Sequence, residues 1–315
     1  MCNHFKNEVS VVIATKDRPE ELYNCFNSVL VQTRLPKEII VVDDGQLDQF
    51  VLTLINQQIS QVRGITFIYK KKNGNTGQGM SYNLGASVAR GDIVLFLDDD
   101  VVLFDDYVEN ILEVYVQRAA EGIGGVSGVV VNEGIPTNLN VIKQMYDRVF
   151  LLSNGKQGEI LPWGFQTDFR GITEESEVDW LRTGCASFRR EVLKAYKFHQ
   201  INEGRAELVD VEFGWRASRS HKLIVAPSAK LYHYPSITRE GLLANGIKQT
   251  YTRCWMFQQH ASKTFRNVLF FVWANFGLFL RNFITGPFNK KVGFSKAIGN
   301  IIGLFKYISE QVWGH

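Results

Sequence analysis

Three carboxylates stand in a row at Asp98-Asp99-Asp100, directly after the apolar run "IVLFL". Adjacent carboxylates repel, and their pKa values rise unless a cation neutralises them. On an extended segment Asp98 and Asp100 would point to one side and Asp99 to the other. Two hard oxygen ligands on one side suit Mg²⁺ or Mn²⁺, which take one or two carboxylates and leave other positions to substrate phosphates. Asp43-Asp44 closes an earlier apolar run in the same way. The chain has no GxxxxGK[ST] loop to cradle a phosphate. The chemistry indicated is therefore a metal-bound diphosphate, held through the metal. Asp210 opens the stretch "VDVEFGWR"; such a residue is either a helix cap or a proton acceptor.

The elements that must position these acids alternate in period. Short apolar runs at 8–15, 38–45, 65–70 and 92–98 read as strands, the first β-branched and buried on both faces. Between them, 18–33, 48–60 and 76–91 read as helices, the first opened by Pro19 and the last closed by Gly91. Strand–helix alternation predicts an α/β fold: a mostly parallel, Rossmann-like sheet with right-handed crossovers and flanking helices. Ligands bind beyond the carboxyl ends of such strands. Residues 15–18, Asp43-Asp44-Gly45 and Asp98-Asp99-Asp100 all fall at that edge.

Further along, 104–122 reads as a helix and 125–131 as a strand. Residues 132–175 carry several Gly, Pro and Asn and read as a long functional loop region. Order resumes at 178–198, with a helix from Arg190. A further helix is expected over 209–221, then a strand or strand pair over 222–234. Beyond residue 240 the chain is mostly helical and aromatic. The pattern divides the chain into an α/β unit, 1–240, with a first half (8–100) and a second half (101–240), and a helical region, 241–315.

Bulk properties bound the function. The chain has 315 residues, 45% hydrophobic and 21% charged, with net charge +3. That is a globular composition, and the charge is too small to point to nucleic acid as a partner. Cysteines at 2, 25, 185 and 254 have neither CxxC nor zinc spacing, so reduced thiols and a cytoplasmic location are expected. The start "MCNHFKNEVS" lacks a signal-peptide core. The run 268–280 is almost wholly apolar, between Arg266 and Arg281, yet shorter than the ~20 residues of a spanning helix. It reads as a buried helix, a homodimer contact, or a peripheral helix at the inner face of the membrane. Residues 290–313 place apolar positions among lysines at near-helical spacing, so both alternatives extend over 265–313.

Five blocks carry a family resemblance: "VSVVIATKDRPEELYNCFNSVLVQ", "EIIVVDDG", "NTGQGMSYNLGASVARGDIVLFLDDDV", "GCASFRREVL" and "VDVEFGWR". In order, they resemble the blocks of family 2 glycosyltransferases of the GT-A fold, over about residues 8 to 255. The resemblance implies a nucleotide-diphosphate sugar donor (a UDP-sugar first), Mn²⁺ or Mg²⁺, and inversion at the anomeric carbon. It implies a hexosyl- or deoxyhexosyltransferase of polysaccharide biosynthesis, with a glycan or lipid-linked acceptor. Thr15, Lys16, Asp17 and Arg18 would border the base, and Asp44 would accept a hydrogen bond from it. Asn75 and Asp99 join the donor set. Asp98 would sit near ribose and metal, with Asp100 the main metal ligand. His233 would approach the metal or diphosphate, and Arg239 the phosphate. Asp210 would be the general base. Asp179, Trp180 and Glu212 would line the acceptor end, Trp180 by stacking on a sugar face.

The chain departs from the family pattern in three places. Val209 stands where an acid usually precedes Asp210, Tyr82 replaces the Arg of Arg-Asn-x-Gly, and Gln46 replaces the Ser after "VDDG". Two other functions fit a nucleotide-binding α/β layout. A sugar nucleotidyltransferase would carry a Gly-rich basic loop after the first strand, where this chain has "TKDRPEEL". A non-catalytic sugar-nucleotide-binding scaffold has no need of Asp98, Asp100 and Asp210 together.

Overall fold

The structure is a computed structural model, and it describes residues 7–74, 77–133, 140–201, 207–235, 241–285 and 294–313. Asn75 and Arg239 lie outside the described residues. The elements run β1 (Val9–Thr15), α1 (Pro19–Leu30), β2 (Glu38–Asp43), α2 (Gln49–Gln61), β3 (Thr66–Lys71), α3 (Gln78–Val88) and β4 (Ile93–Asp98). They continue with β5 (Val101–Leu103), α4 (Tyr107–Gln117), β6 (Ile123–Val130), α5 (Asn140–Val149), β7 (Ser176–Val178), β8 (Ala186–Arg189) and α6 (Arg190–Ala195). The chain closes with α7 (Val209–Ala217), β9 (Lys222–His233), α8 (Leu242–His260), α9 (Phe265–Thr285) and α10 (Phe294–Trp313).

One nine-stranded sheet runs β3-β2-β1-β4-β8-β6-β9-β5, with β7 also on β9. Its first four strands are parallel. Their side chains alternate between two packed faces: Val11, Ile13, Ile39 and Val41 join one core cluster, and Val12, Ile40 and Val42 the other. The register sets Thr15 beside Asp43 and Ala14 beside Asp98. The acids are therefore brought to one edge by strand pairing alone.

The second half is mixed. β8 is antiparallel to both β4 and β6, while β9 is parallel to β6 and antiparallel to β5 and β7. The helix expected to close at Gly91 ends at Val88, with Ala89 extended. Gly91 serves packing instead, since a Cβ there would lie 2.6 Å from the Glu8 carbonyl oxygen. The loop region expected over 132–175 contains α5. The strand or strand pair expected over 222–234 is one strand. Beyond α8, a third cluster packs Leu161 and Phe165 against Phe271, Ala274 and Leu278 of α9.

Candidate active site

The three adjacent acids do not lie on an extended segment. Asp98 ends β4, and Asp99 and Asp100 form the turn into β5. Asp98 is therefore held by partners of its own, while Asp99 and Asp100 share Arg18. Asp98 accepts hydrogen bonds from the Tyr82 hydroxyl (2.6 Å) and from Gln78 Nε2 on one oxygen. Its other oxygen lies against Gly184, where a Cβ would collide with it. Asp99 accepts from Thr15 Oγ1 at 2.8 Å. Arg18 Nη1 bridges Asp99 and Asp100, 3.1 Å from each. Like charges are thus neutralised by an arginine contributed by the turn after β1. Burial still drives the Asp99 carboxyl up to about 6, against the Thr15 hydrogen bond and the Arg18 charge.

His233, the last residue of β9, pairs in register with Val101. Its ring stands between two acids: Nε2 is 3.3 Å from Asp100 Oδ1, and Nδ1 is 3.5 Å from Glu133 Oε1. Those contacts raise the imidazole to about 9. Burial pushes the Asp100 carboxyl up, but His233 and Arg18 outweigh it and hold it below its ordinary value. Glu133 is lowered to about 2 by His233 and, against burial, by Arg182, whose Nη1 is 2.6 Å away.

These groups test whether a divalent cation fits. Asp100 Oδ1 is buried and accepts no hydrogen bond. An orphaned carboxylate oxygen beside an imidazole nitrogen suits one cation whose remaining positions go to water and phosphate oxygens. Among the described residues no three His, Cys, Asp or Glu groups are arranged to hold a metal ion together, so the chain offers two donors rather than a closed cage.

Asp210 lies in the first turn of α7, and its Oδ1 accepts from the Val211 N–H at 2.9 Å. Burial raises its carboxyl to about 6, opposed by that hydrogen bond and by the Arg182 charge. Asp210, Asp98, His233, Arg182 and Trp180 line one cavity of about 310 Å³. A larger hollow of about 450 Å³ lies against α1 and contains none of these five side chains.

The nucleotide edge is assembled from loop contacts. Asp44 pairs with Lys72 at 2.9 Å and accepts from the Gly77 N–H at 3.0 Å. Asp17, in the left-handed region at φ 55°, accepts from the Gln46 N–H at 2.8 Å. Lys16 is exposed at the same turn. Asp43 is structural: it is fully buried and accepts from Tyr69, Lys71 and the N–H groups of Gly45 and Leu47.

The acceptor set divides. Trp180 borders the cavity, but its ring is pinned: Nε1 donates to the Thr167 carbonyl at 3.1 Å, and Phe169 lies 4.7 Å away. Asp179 accepts from the Ile160 N–H at 2.7 Å and does not line the cavity. Glu212 corrects the expectation outright. It is fully buried and binds Arg216 (2.7 and 2.8 Å), His199 Nδ1 (3.0 Å) and His260 Nε2 (2.8 Å). It ties α7 to α8 and does not line the cavity.

Glu133, Arg182, Gln78 and Gly184 were not anticipated. Only Tyr82 gave a signal, as a departure from the usual Arg. Its hydroxyl supplies a hydrogen bond to Asp98 where a charge would otherwise stand.

Comparison with known proteins fits this geometry. The model of the family described as glycosyl transferase family 2 matches residues 10–196. A glucosyl-dolichyl phosphate glucuronosyltransferase of Haloferax volcanii is 29% identical over 207 residues, covering 63% of this chain and 58% of that protein. An uncharacterized glycosyltransferase of a Nostoc species is 33% identical over 118 residues, 37% of this chain and 35% of that one. The match thus spans less than two thirds of these relatives' own length. The crystal structure of S. aureus TarS 1–349 in complex with UDP-GlcNAc superimposes with a TM-score of 0.61 at 16% identity, over 96% of this chain and 81% of that one. GalNAc-T7 with UDP, GalNAc and Mn²⁺ gives 0.55 at 15% identity, over 73% and 43%. At such identity the two structures speak for the fold, which is GT-A. The family match runs from β1 to the end of α6, more than half the chain, and the protein belongs to glycosyl transferase family 2.

Proposed function

We propose that the protein is an inverting, metal-dependent glycosyltransferase moving a sugar from a nucleoside diphosphate donor, first a UDP-sugar, to a hydroxyl of a glycan or lipid-linked acceptor. The observation that carries this is the Asp210 carboxyl, raised to about 6 and set on the wall of the cavity that also holds Asp98 and His233. A base of that strength is ionised at neutral pH and still basic enough to draw a proton in the transition state.

Asp210 takes the acceptor hydroxyl's proton. The oxygen forms its bond to the anomeric carbon as the bond to the diphosphate breaks, and the electron pair leaves with the diphosphate. A single displacement inverts the centre. Arg182 presents positive charge to the same cavity, and Thr15 and Arg18 keep Asp99 from adding a free negative charge. Asp100 and His233 would hold Mn²⁺ or Mg²⁺, the ring giving up on binding the proton that Asp100 and Glu133 otherwise hold on it, and the ion would supply counter-charge to the leaving group. The UDP-sugar reading draws support from the TarS complex, and the metal reading from the Mn²⁺ of GalNAc-T7. The buried free thiols of Cys25, Cys185 and Cys254 support a cytoplasmic location.

The test is a panel of UDP-, GDP- and dTDP-sugars with Mn²⁺, reading release of nucleoside diphosphate. UDP release that stops with chelator and returns with Mn²⁺ is the expected result. Release of nucleoside triphosphate and sugar 1-phosphate from the same donors, only when pyrophosphate is added, would make the protein a nucleotidyltransferase. Binding with no turnover for any donor and acceptor would make it a scaffold.

A further inference from the structure

The helical end of the molecule carries charge and apolar surface out of proportion to the rest. Residues 241–315 hold nine Lys and Arg against one acid, Glu310. They are +8 in a chain of net +3, which leaves residues 1–240 at −5. Nor does an exposed acid offset this among the described residues of α5, α8, α9 and α10. Asp147 is buried against Lys143 and Arg281, and Glu310 is partly covered and bonded to the Tyr251 hydroxyl.

Three helices on this side expose apolar stripes. On α9, Phe265, Leu269, Val272 and Phe276 face outward at helical spacing. On α10 the outward set includes Ile298, Ile301, Phe305 and Ile308, with Phe305 67% exposed. On α5 it is Ile142, Met145 and Val149. The stripes join. Phe150, just after α5, stacks on Trp273 of α9 at 5.1 Å, and Phe283 of α9 meets Phe294 of α10 at 5.1 Å. Contiguous apolar surface of this extent marks an interaction face.

We propose that the α5–α9–α10 face docks the protein peripherally on an anionic lipid bilayer. An aromatic-rich apolar face bordered by basic residues, here Lys263 and Arg266 beside Phe265, matches both layers of such a surface, acyl boundary and anionic headgroups. A second copy fits less well, because a two-fold contact would set this cationic face against itself. A spanning helix also fits less well. α9 is long and apolar enough to cross a membrane, but its opposite stripe (Phe271, Ala274, Leu278) is buried against Leu161 and Phe165. A helix packed in this way offers one face to lipid. The face also borders the catalytic side, since α10 packs on α8 and Asn245 of α8 bonds Glu207 at the cavity rim. Docking does not depend on the sugar-transfer reading, and its readout is lipid binding.

Flotation of the full chain with phosphatidylcholine vesicles, with and without phosphatidylglycerol, tests this. The expected result is binding to the anionic vesicles that weakens with salt. Val272→Glu combined with Phe305→Glu should cut binding at least about ten-fold, since each places a charge on the inserted face. Lys263→Gln and Arg266→Gln should each cost about five-fold. All four side chains are exposed, so an unchanged melting curve establishes that the variants fold. Absence of binding to anionic vesicles, wild-type binding by the double glutamate variant, or a dimer that forms without lipid and breaks with those glutamates would overturn the proposal. Resistance to alkaline carbonate extraction would also overturn it, in favour of a spanning helix.

Discussion

At the scale of single residues, Asp210 and Asp100 do different work. Asp210→Asn keeps size but accepts no proton, so turnover should fall about 10²–10⁴-fold while donor affinity stays near normal. The wild-type kcat/KM should drop as pH falls through about 6, the value to which burial raises this carboxyl. Stability carries the opposite sign. A folded-state pKa above the ordinary 3.8 means that the group's contribution is present below about 4 and lost as pH rises through 6. Asp210→Asn should therefore raise Tm at pH 7.5 and leave it unchanged near pH 3.5. A Tm that falls at neutral pH would make Asp210 a structural cap. Asp100→Ala should abolish the stabilisation by UDP that depends on Mn²⁺, measured as a thermal shift with and without chelator. Survival of that shift would move the metal away from the orphaned Asp100 oxygen. The acids themselves were legible in the sequence, because three like charges at the end of a buried strand repel one another and call for a cation to offset them. Their partners were not. Glu133 and Arg182 are 49 positions apart and meet only through the fold.

At the scale of elements, α7 shows why adjacency in sequence misleads. Residues two apart on a helix lie about 200° apart around its axis, so Asp210 and Glu212 cannot face one cavity. Glu212 points inward to Arg216, His199 and His260. Glu212→Gln removes the charge that compensates these groups, and stability should fall by about 3 kcal/mol with turnover per folded molecule unchanged. Lost turnover at normal stability would return Glu212 to the acceptor site. The strands β1, β2 and β4 were legible as continuous apolar runs, a pattern that burial on both faces requires. Helix α5 was not read, although Val141, Ile142, Met145 and Val149 recur at helical spacing, because its ten residues lie within a stretch whose Gly, Pro and Asn read as loop.

At the scale of the whole molecule, the parallel half of the sheet followed from strand–helix alternation, and the mixed half did not. β7 and β8 have three and four residues, too few to show a period. β9 binds that half together. Near its start it pairs with β6 and β7, and at its end with β6 and β5. Between these anchors it slips: β6 advances from Ser127 to Val129 while β9 advances from Val225 to Lys230. The excess chain bows out at the exposed Ser228. Beyond the bow, His233 is fixed by its own local ties. Its backbone N–H and carbonyl both bond Asn132, and the Tyr234 N–H donates to the Asp100 carbonyl. The bow is thus an expansion joint, taking up changes of length between the frame and the catalytic tip. A glycine inserted after Ser228 should lower stability by about 1 kcal/mol yet leave Mn²⁺-dependent UDP binding intact. Loss of that binding would mean that the tip takes its alignment from the strand behind it.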